Sequence, residues 1–366
     1  MTGLSVVPVA PELFSGSPRE RGQAQAAGAD DALRAQVRRA TLGRVETARA
    51  EGLIDERALA YVAGQRRFAE DADPEGMAEL AGIAEGFDLP LDELFLHLHL
   101  GTLRDLAGGA VTDGDGCSAW AVGGGPDGPL VVKNRDFGGV HLGVQRVAWH
   151  SGPDIVTGGM LCIGSLGSPG AYSSGMNGAG LALADTQIGA RTHAIGWLRY
   201  FVMTRVLARC ATVAEALDWL GSVAHAGGGS LVLADAAGAC AVVELGARTV
   251  AFERGDPVWR TNHFLSSALS ADTFLRDGMR IDGNSAARLR LLSERLPARV
   301  WDAVAAARLM ATHSGDAGGA PICQHPGPGE DTATLSSAIF AIRDRCVYFH
   351  PGNPCAGEWQ AIRIPA

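Results

Sequence analysis

Lysine is almost missing from this sequence: its 366 residues carry 30 Arg and a single Lys, Lys133. The arginines form no basic cluster of the kind that neutralises phosphates, and the chain is acidic, with a formal charge of −9 and a pI near 5.6. No nucleic-acid partner is therefore expected. No window approaches the roughly 18 uninterrupted apolar residues of a membrane span, and the run LFLHLHLGTL (94–103) carries two histidines, so no membrane association is expected. The first residues, MTGLSVVPVAPELF, lack a basic n-region and meet Pro8 and Pro11 before any apolar core, so a cytoplasmic location is expected. The seven cysteines (117, 162, 210, 240, 323, 346 and 355) are odd in number and form no CxxC pair, a pattern that fits reduced thiols. With 47% hydrophobic residues and glycines that follow no period, disordered and collagen-like classes are excluded. The length allows two domains or one large one.

The charge that is present is unevenly placed. Residues 1–116 hold 11 Arg against 20 Asp and Glu, whereas residues 117–366 hold 20 of each sign, so the whole net charge lies in the first third. That third reads as helical from Asp30 to about Leu103, with apolar side chains returning at three and four residues and a first-turn proline at Pro74. After the acidic connection Gly108–Gly116 the period changes to two, in SAWAV, LVVKNRDF and VQRVAW, divided by glycine clusters. Helical stretches return at Trp197 to about Gly221 and at Asn284 to about Met310. Between them SLVLADAAGACAVVEL reads as a strand pair turning at Asp235–Gly238. Helices, strands, helices and strands in that order predict an α+β layered enzyme rather than regular βαβ alternation.

Cys117 opens the first strand, directly after the acidic connection. It is accompanied by Gly116 and Ser118, by Asn134-Arg135-Asp136-Phe137, by Gly175-Met176-Asn177-Gly178-Ala179-Gly180-Leu181 and by Thr261-Asn262-His263-Phe264. Further pieces are Glu20-Arg21-Gly22, GIAEG (82–86), LADAAG followed by VVE (233–244), and the closing TLSSAIFAIRD…VYFHPGNPC. In their order and spacing these resemble the acyl-coenzyme A:isopenicillin N acyltransferase family of N-terminal nucleophile (Ntn) hydrolases, which are self-processing cysteine peptidases.

The resemblance implies a four-layer αββα sandwich with an N-terminal helical segment, cut between Gly116 and Cys117. Residues 1–116 would remain as an α chain beside a catalytic β chain of 117–366, the two forming one Ntn-hydrolase domain and a heterodimer. A homo-oligomer of such heterodimers is left open. Glycine at 116 offers no side chain to obstruct attack by the Cys117 thiol on its carbonyl. The freed α-amine, with a pKa of roughly 8, would then serve as the base for its own thiol. By the same resemblance Asp136 holds that amine, Asn262 donates to the oxyanion, and Asn177 assists the oxyanion or substrate, although Asn before Gly is also a good turn. Arg135 is a candidate for a substrate carboxylate. Family members often read Arg-Asn-x-Asp where this chain has Lys133-Asn134-Arg135-Asp136. Strict strand alternation with Asp136 facing the site puts Asn134 inward and Arg135 outward. Ser336 falls where the family has a serine near its substrate, or it is a surface serine.

No metal or cofactor is expected. His97 and His99 stand two apart on a helix, and His325 and His350 lie beside prolines without metal-ligand spacing. The resulting expectation is an enzyme that cleaves or transfers an acyl or aminoacyl group of a small amide through a Cys117 thioester. Hydrolysis is favoured over transfer from coenzyme A, because no basic site for nucleotide phosphates is evident. A role in specialised metabolism is implied by the resemblance alone. Two other readings stay open. GCSAW and the downstream His263 loosely match a papain-like pair, at a spacing within about 130 to 150 residues. An inactive Ntn scaffold that binds a small molecule is the non-enzymatic alternative.

Overall fold

The computed structural model describes residues 4–108, 116–274, 283–326 and 332–365. The described chain enters through two short strands, β1 (Val6–Pro8) and β2 (Glu12–Ser15). The helices α1 (Pro18–Ala24), α2 (Asp31–Arg38), α3 (Arg44–Ala50), α4 (Glu56–Ala72), α5 (Pro74–Phe87), α6 (Leu91–Leu98) and α7 (Leu100–Leu106) follow. Local chemistry sets many of their starts. Ser17 and Glu20 form a capping box on α1, and Asp30, Asp55 and Asp73 accept the N–H three residues on at α2, α4 and α5. Among these described helices none is long and apolar enough to cross a membrane, nor is any later one.

From Cys117 onward the chain alternates sheets with helices. Strands β3 (Ser118–Val122), β4 (Leu130–Gly138), β5 (Gln145–Ser151), β6 (Met160–Ser165), β7 (Ser174–Asn177) and β8 (Ala182–Gln187) precede α8 (Arg199–Arg209) and α9 (Val213–Ser222). The single stretch expected from Trp197 to Gly221 is thus two helices, because Thr212 leaves the helical conformation to cap α9. Then come β9 (Gly229–Ala234), β10 (Cys240–Leu245), β11 (Val250–Arg254) and β12 (Val258–Arg260), the helices α10 (Gly283–Arg295) and α11 (Ala303–Met310), and strands β13 (Thr332–Ala341), β14 (Cys346–Pro351) and β15 (Trp359–Arg363).

These strands form two sheets, ordered β1-β15-β14-β13-β4-β3-β12 and β11-β10-β9-β8-β7-β6-β5-β2. Alternation decides what each face meets. On β3, Ala119 and Ala121 join Val131, Leu161, Met176, Val232 and Phe340 in the core between the sheets. Trp120 and Val122 point the other way, into a second core beneath α10 and α11. The outer face of the eight-stranded sheet is covered by α2, α5, α6, α8 and α9 through a third cluster that includes Leu80, Phe95, Val202 and Leu207. The expected αββα layering is what the structure has.

The first third departs from its helical reading at residues 6–15. β1 pairs in parallel with β15, and β2 pairs in parallel with β5, so this segment supplies one edge strand to each sheet. Elsewhere the segment packs closely. A Cβ on Gly22 would lie 2.1 Å from the Glu79 carbonyl oxygen and one on Gly82 2.0 Å from that of Arg19, so only glycine lets α1 and α5 meet this closely. These are the Arg-Gly and GIAEG pieces of the sequence, and their glycines are packing devices.

Candidate active site

Cys117 lies at the foot of β3, buried, with its Sγ 3.7 Å from the Asp136 carbonyl oxygen. Gly116 is held from the other side. Its carbonyl accepts from Gln324 Nε2 at 3.2 Å, and the same nitrogen donates to Asp136 Oδ2 at 3.0 Å. A Cβ on Gly116 would sit 1.5 Å from that nitrogen. Only glycine leaves the Gln324 amide in this position.

Asp136 is fully buried, and Thr334 Oγ1 donates to its Oδ1 at 2.5 Å. Burial pushes its pKa up to about 7, against the lowering influence of Thr334, the Arg288 charge and Gln324. Arg288, on α10, is the hub on the far side of Cys117. Nη1 donates to the Cys117 carbonyl (2.5 Å) and Ser118 Oγ (3.1 Å), Nη2 to Asn262 Oδ1 (2.8 Å), and Nε to Asn284 Oδ1 (2.6 Å). Asn284 Nδ2 in turn reaches Gln324 Oε1 at 3.3 Å. Asn262 is thus oriented by Arg288, while its Nδ2 donates to the Gln187 carbonyl at 2.8 Å.

A pocket opens beside the thiol, lined by Cys117, Lys133, Arg135, Asp136, Phe137, Tyr172, Asp185, Gln187, Arg199 and Tyr200. The one lysine of the chain is here. Lys133 Nζ bonds the Asp185 carbonyl and lies 2.6 Å from Asp185 Oδ1, and Arg199 Nε is 2.6 Å from Oδ2. Burial alone would raise the Asp185 pKa, but the two cations outweigh it and hold the carboxyl below its usual range. Arg135 bonds the neutral Gln145 Oε1 (2.7 Å) and Ser165 Oγ (2.9 Å) and lies over the Tyr172 ring, which stacks on Tyr200 at 4.1 Å. A more apolar pocket, lined among others by Phe68, Phe95, His99 and Phe201, carries no nucleophile.

The alternation expected on β4 holds, but Arg135 and not Asn134 lines the cavity. Lys133 and Arg135 face the space between the sheets, whereas Asn134 and Asp136 face the α10–α11 side, where Asn134 Nδ2 donates to the Met310 and Ile322 carbonyls. Asp136 meets the thiol through its backbone carbonyl, and its carboxyl reaches the Gly116–Cys117 junction through Gln324. Ser336 is buried, not a surface serine, and its Oγ is 3.5 Å from the Gln145 Oε1 that also holds Arg135. Asn177 stands apart: Nδ2 donates to the Leu207 and Cys210 carbonyls and Oδ1 accepts from Leu181 N, so its amide ties the β7–β8 turn to the end of α8. His263 Nδ1 faces Ser285 Oγ at 2.8 Å and Thr261 Oγ1 at 3.4 Å, and the ring is not among the cavity's lining residues. The papain-like reading also fails on the fold, since Cys117 begins a sheet strand and not a long helix. Gln324, Arg288, Tyr172, Asp185 and Arg199 were not singled out by sequence. Asp185, Arg199 and Arg288 lie on β8, α8 and α10, and Tyr172 and Gln324 lie in loops, all without a local motif, and only the tertiary fold brings them to Cys117.

The profile of the family described as Acyl-coenzyme A:6-aminopenicillanic acid acyl-transferase matches residues 124–356, well over half of the chain. The chain belongs to this family. The match begins beyond Cys117. A search of curated proteins found no match. Among solved structures, the chain is similar to a variant of conjugated bile acid hydrolase from Clostridium perfringens, with 12% identity and a TM-score of 0.42 over 68% of this chain and 99% of that one. It is also similar to penicillin V acylase from Agrobacterium tumefaciens, with 13% identity and a TM-score of 0.34 over 64% and 83% of the two chains.

Proposed function

We propose that this member of the acyltransferase family cuts its own Gly116–Cys117 bond and then acts as a cysteine amidohydrolase or acyltransferase on a small amide. The observation that carries the reading is the convergence of Gln324 on the Gly116 carbonyl and Asp136, with the Cys117 thiol on the adjoining residue.

In processing, Cys117 Sγ attacks the Gly116 carbonyl carbon and gives up its proton. The oxygen that gains charge is the one already bonded to Gln324 Nε2, a donor placed where an oxyanion develops. The C–N bond breaks, the Cys117 nitrogen takes the proton, and Gly116 is left as a thioester. Water then hydrolyses it to a Gly116 carboxylate and a free Cys117. The new α-amine would lie by the buried Asp136 carboxyl, which orients it and favours its ammonium form.

In turnover the amine takes the thiol proton, Sγ attacks the substrate carbonyl, and the proton passes to the leaving amine as the thioester forms. Asn262 Nδ2 has two hydrogens, one on the Gln187 carbonyl, and the second serves the acyl oxygen. Water completes hydrolysis, and an acceptor amine completes transfer. The cavity sets three cations, Lys133, Arg135 and Arg199, against the ionised Asp185, and it adds a flat tyrosine pair. That composition supports an amide bearing a carboxylate near the scissile bond.

The test is mass spectrometry and N-terminal sequencing of the purified chain, followed by acylation of the thiol. A fragment beginning at Cys117, absent in Cys117→Ala, and a Cys117 thioester from carboxylate-bearing amides are expected. Normal cutting in Cys117→Ala overturns the mechanism, and an intact chain that no acyl donor modifies overturns the enzyme.

A further inference from the structure

Sequence spacing offers no metal set, yet folding gathers four metal-type side chains on the far side of Gln324 from the cavity. His313 follows α11, Cys323 and His325 flank Gln324, and Cys355 comes from the loop between β14 and β15. Their ligand atoms all lie within 4.8 Å of one another. His325 Nε2 is the centre of the group, 3.3 Å from His313 Nε2, 3.4 Å from Cys355 Sγ and 3.7 Å from Cys323 Sγ. A ring nitrogen has either one hydrogen or one lone pair, so it cannot bond to all three neighbours. A cation among them resolves the convergence, because every atom then directs a lone pair at one point.

The distances identify the cation's class. Bonds of about 2.05 Å to nitrogen and about 2.3 Å to sulfur, arranged tetrahedrally, place nitrogens about 3.3 Å apart and a nitrogen and sulfur about 3.6 Å apart. The three contacts of His325 match these edges, and the remaining pairs have at most about 1.2 Å to close. Two thiolates and two imidazoles suit a borderline-soft ion and leave no position open to substrate. Supporting contacts are also present. Asp316 Oδ2 lies 3.7 Å from His313 Nδ1 and accepts from His313 N at 2.7 Å, and Asn353 Nδ2 donates to Cys323 Sγ at 3.3 Å. Cys323 is buried, but His325 and Cys355 are exposed, so an ion can enter from solvent.

We propose that His313, Cys323, His325 and Cys355 form a closed structural site for zinc(II). On binding, the two thiols lose their protons to solvent, and the dithiolate balances the ion's charge. The site pins the loop after α11, the Cys323–His325 strap and the β14–β15 loop together, and so fixes the backbone on both sides of the residue that holds Gly116 and Asp136. It does not depend on whether Cys117 is processed.

The experiment uses the untagged full-length chain, stripped with a chelator under reductant and titrated with cobalt(II). One equivalent should bind with the intense visible bands of tetrahedral cobalt and a thiolate charge-transfer band, and zinc should bleach both. His313→Ala and Cys355→Ser, checked for folding by circular dichroism, should each lose these bands and bind at least about 10-fold more weakly. Pale octahedral cobalt alone, or bands unchanged in either variant, overturns the site. So does a thiol count on the freshly purified, denatured chain that falls two short of seven through a Cys323–Cys355 disulfide.

Discussion

At the scale of single residues, Gln324 and Gly116 form one steric and electronic unit. The Cβ of Gly116→Ala would meet the far end of a flexible side chain, so the Gln324 amide moves and its bonds to the Gly116 carbonyl and Asp136 are lost. Loss of one oxyanion donor costs about 3 kcal/mol of barrier, so Gln324→Ala should slow the appearance of the Cys117 fragment by roughly 100- to 1,000-fold. Gly116→Ala should slow it comparably, and the double variant should be little worse than either, because both changes remove the same contact. Additive losses in fragment time courses would show that Gly116 acts independently. Asp136 makes a second prediction. Its pKa is about 7 when folded, against 3.8 for the ordinary group, so the folded state binds the proton more tightly. The resulting stability is complete below about pH 4 and is lost as pH rises towards 7, at about 1.4 kcal/mol per unit. In the uncut Cys117→Ala chain, the urea midpoint relative to an added Asp136→Asn should fall from pH 5 to 7 and then level off. A difference that is flat or rising over that range contradicts the buried, protonated carboxyl.

At the scale of elements, legibility in the sequence follows the range of the interaction. The capped helices and the period-two strands beyond Cys117 were readable, because caps and alternation are local. β1 and β2 were not, being edge strands of three and four residues whose partners, β15 and β5, lie far along the chain. In the site, Cys117, Asp136 and Asn262 were legible through the pattern of neighbours. Which face of β4 lines the cavity was not, since alternation fixes only that neighbours point apart and the second sheet decides which side meets the cavity. Arg288 and Gln324 carry no local signal at all. The glycines at the crossing of α1 and α5 give the element-scale prediction. In Gly82→Ala the methyl would meet backbone at 2.0 Å, which cannot rotate away, so a loss of about 1–3 kcal/mol is expected. Gly43→Ala is the contrast, with helical backbone angles and its nearest atom at 3.9 Å, and it should gain about 0.5–1 kcal/mol. Urea midpoints that move together would show that helix propensity, not the crossing, decides both.

At the scale of the whole molecule, a cut at Gly116 has to leave two chains that stay together, although one carries all the net charge. Apolar faces do part of this, but the structure also runs a buried ion network across the division. Arg21 of the first segment, fully buried, makes a bidentate pair with Asp154 of the second at 2.7 and 2.8 Å. Arg205 of the second lies 2.9 Å from Asp73 of the first, and Glu79 Oε1 accepts from Gly170 N at 3.0 Å. Breaking a buried pair costs about 3–5 kcal/mol where the remaining charge has no other partner, and less for Arg21, which keeps Glu79 at 4.0 Å and the Gly16 carbonyl. Asp154→Asn should therefore release the fragments of the processed protein at a lower urea concentration than in the parent, as read by gel filtration. Glu85→Gln, which breaks the exposed Arg19–Glu85 pair within the first segment, should leave the urea concentration of release unchanged. If Asp154→Asn and Glu85→Gln release the fragments at the same urea concentration, the edge strands and apolar faces hold the halves, and the Arg21–Asp154 pair adds nothing measurable to their retention.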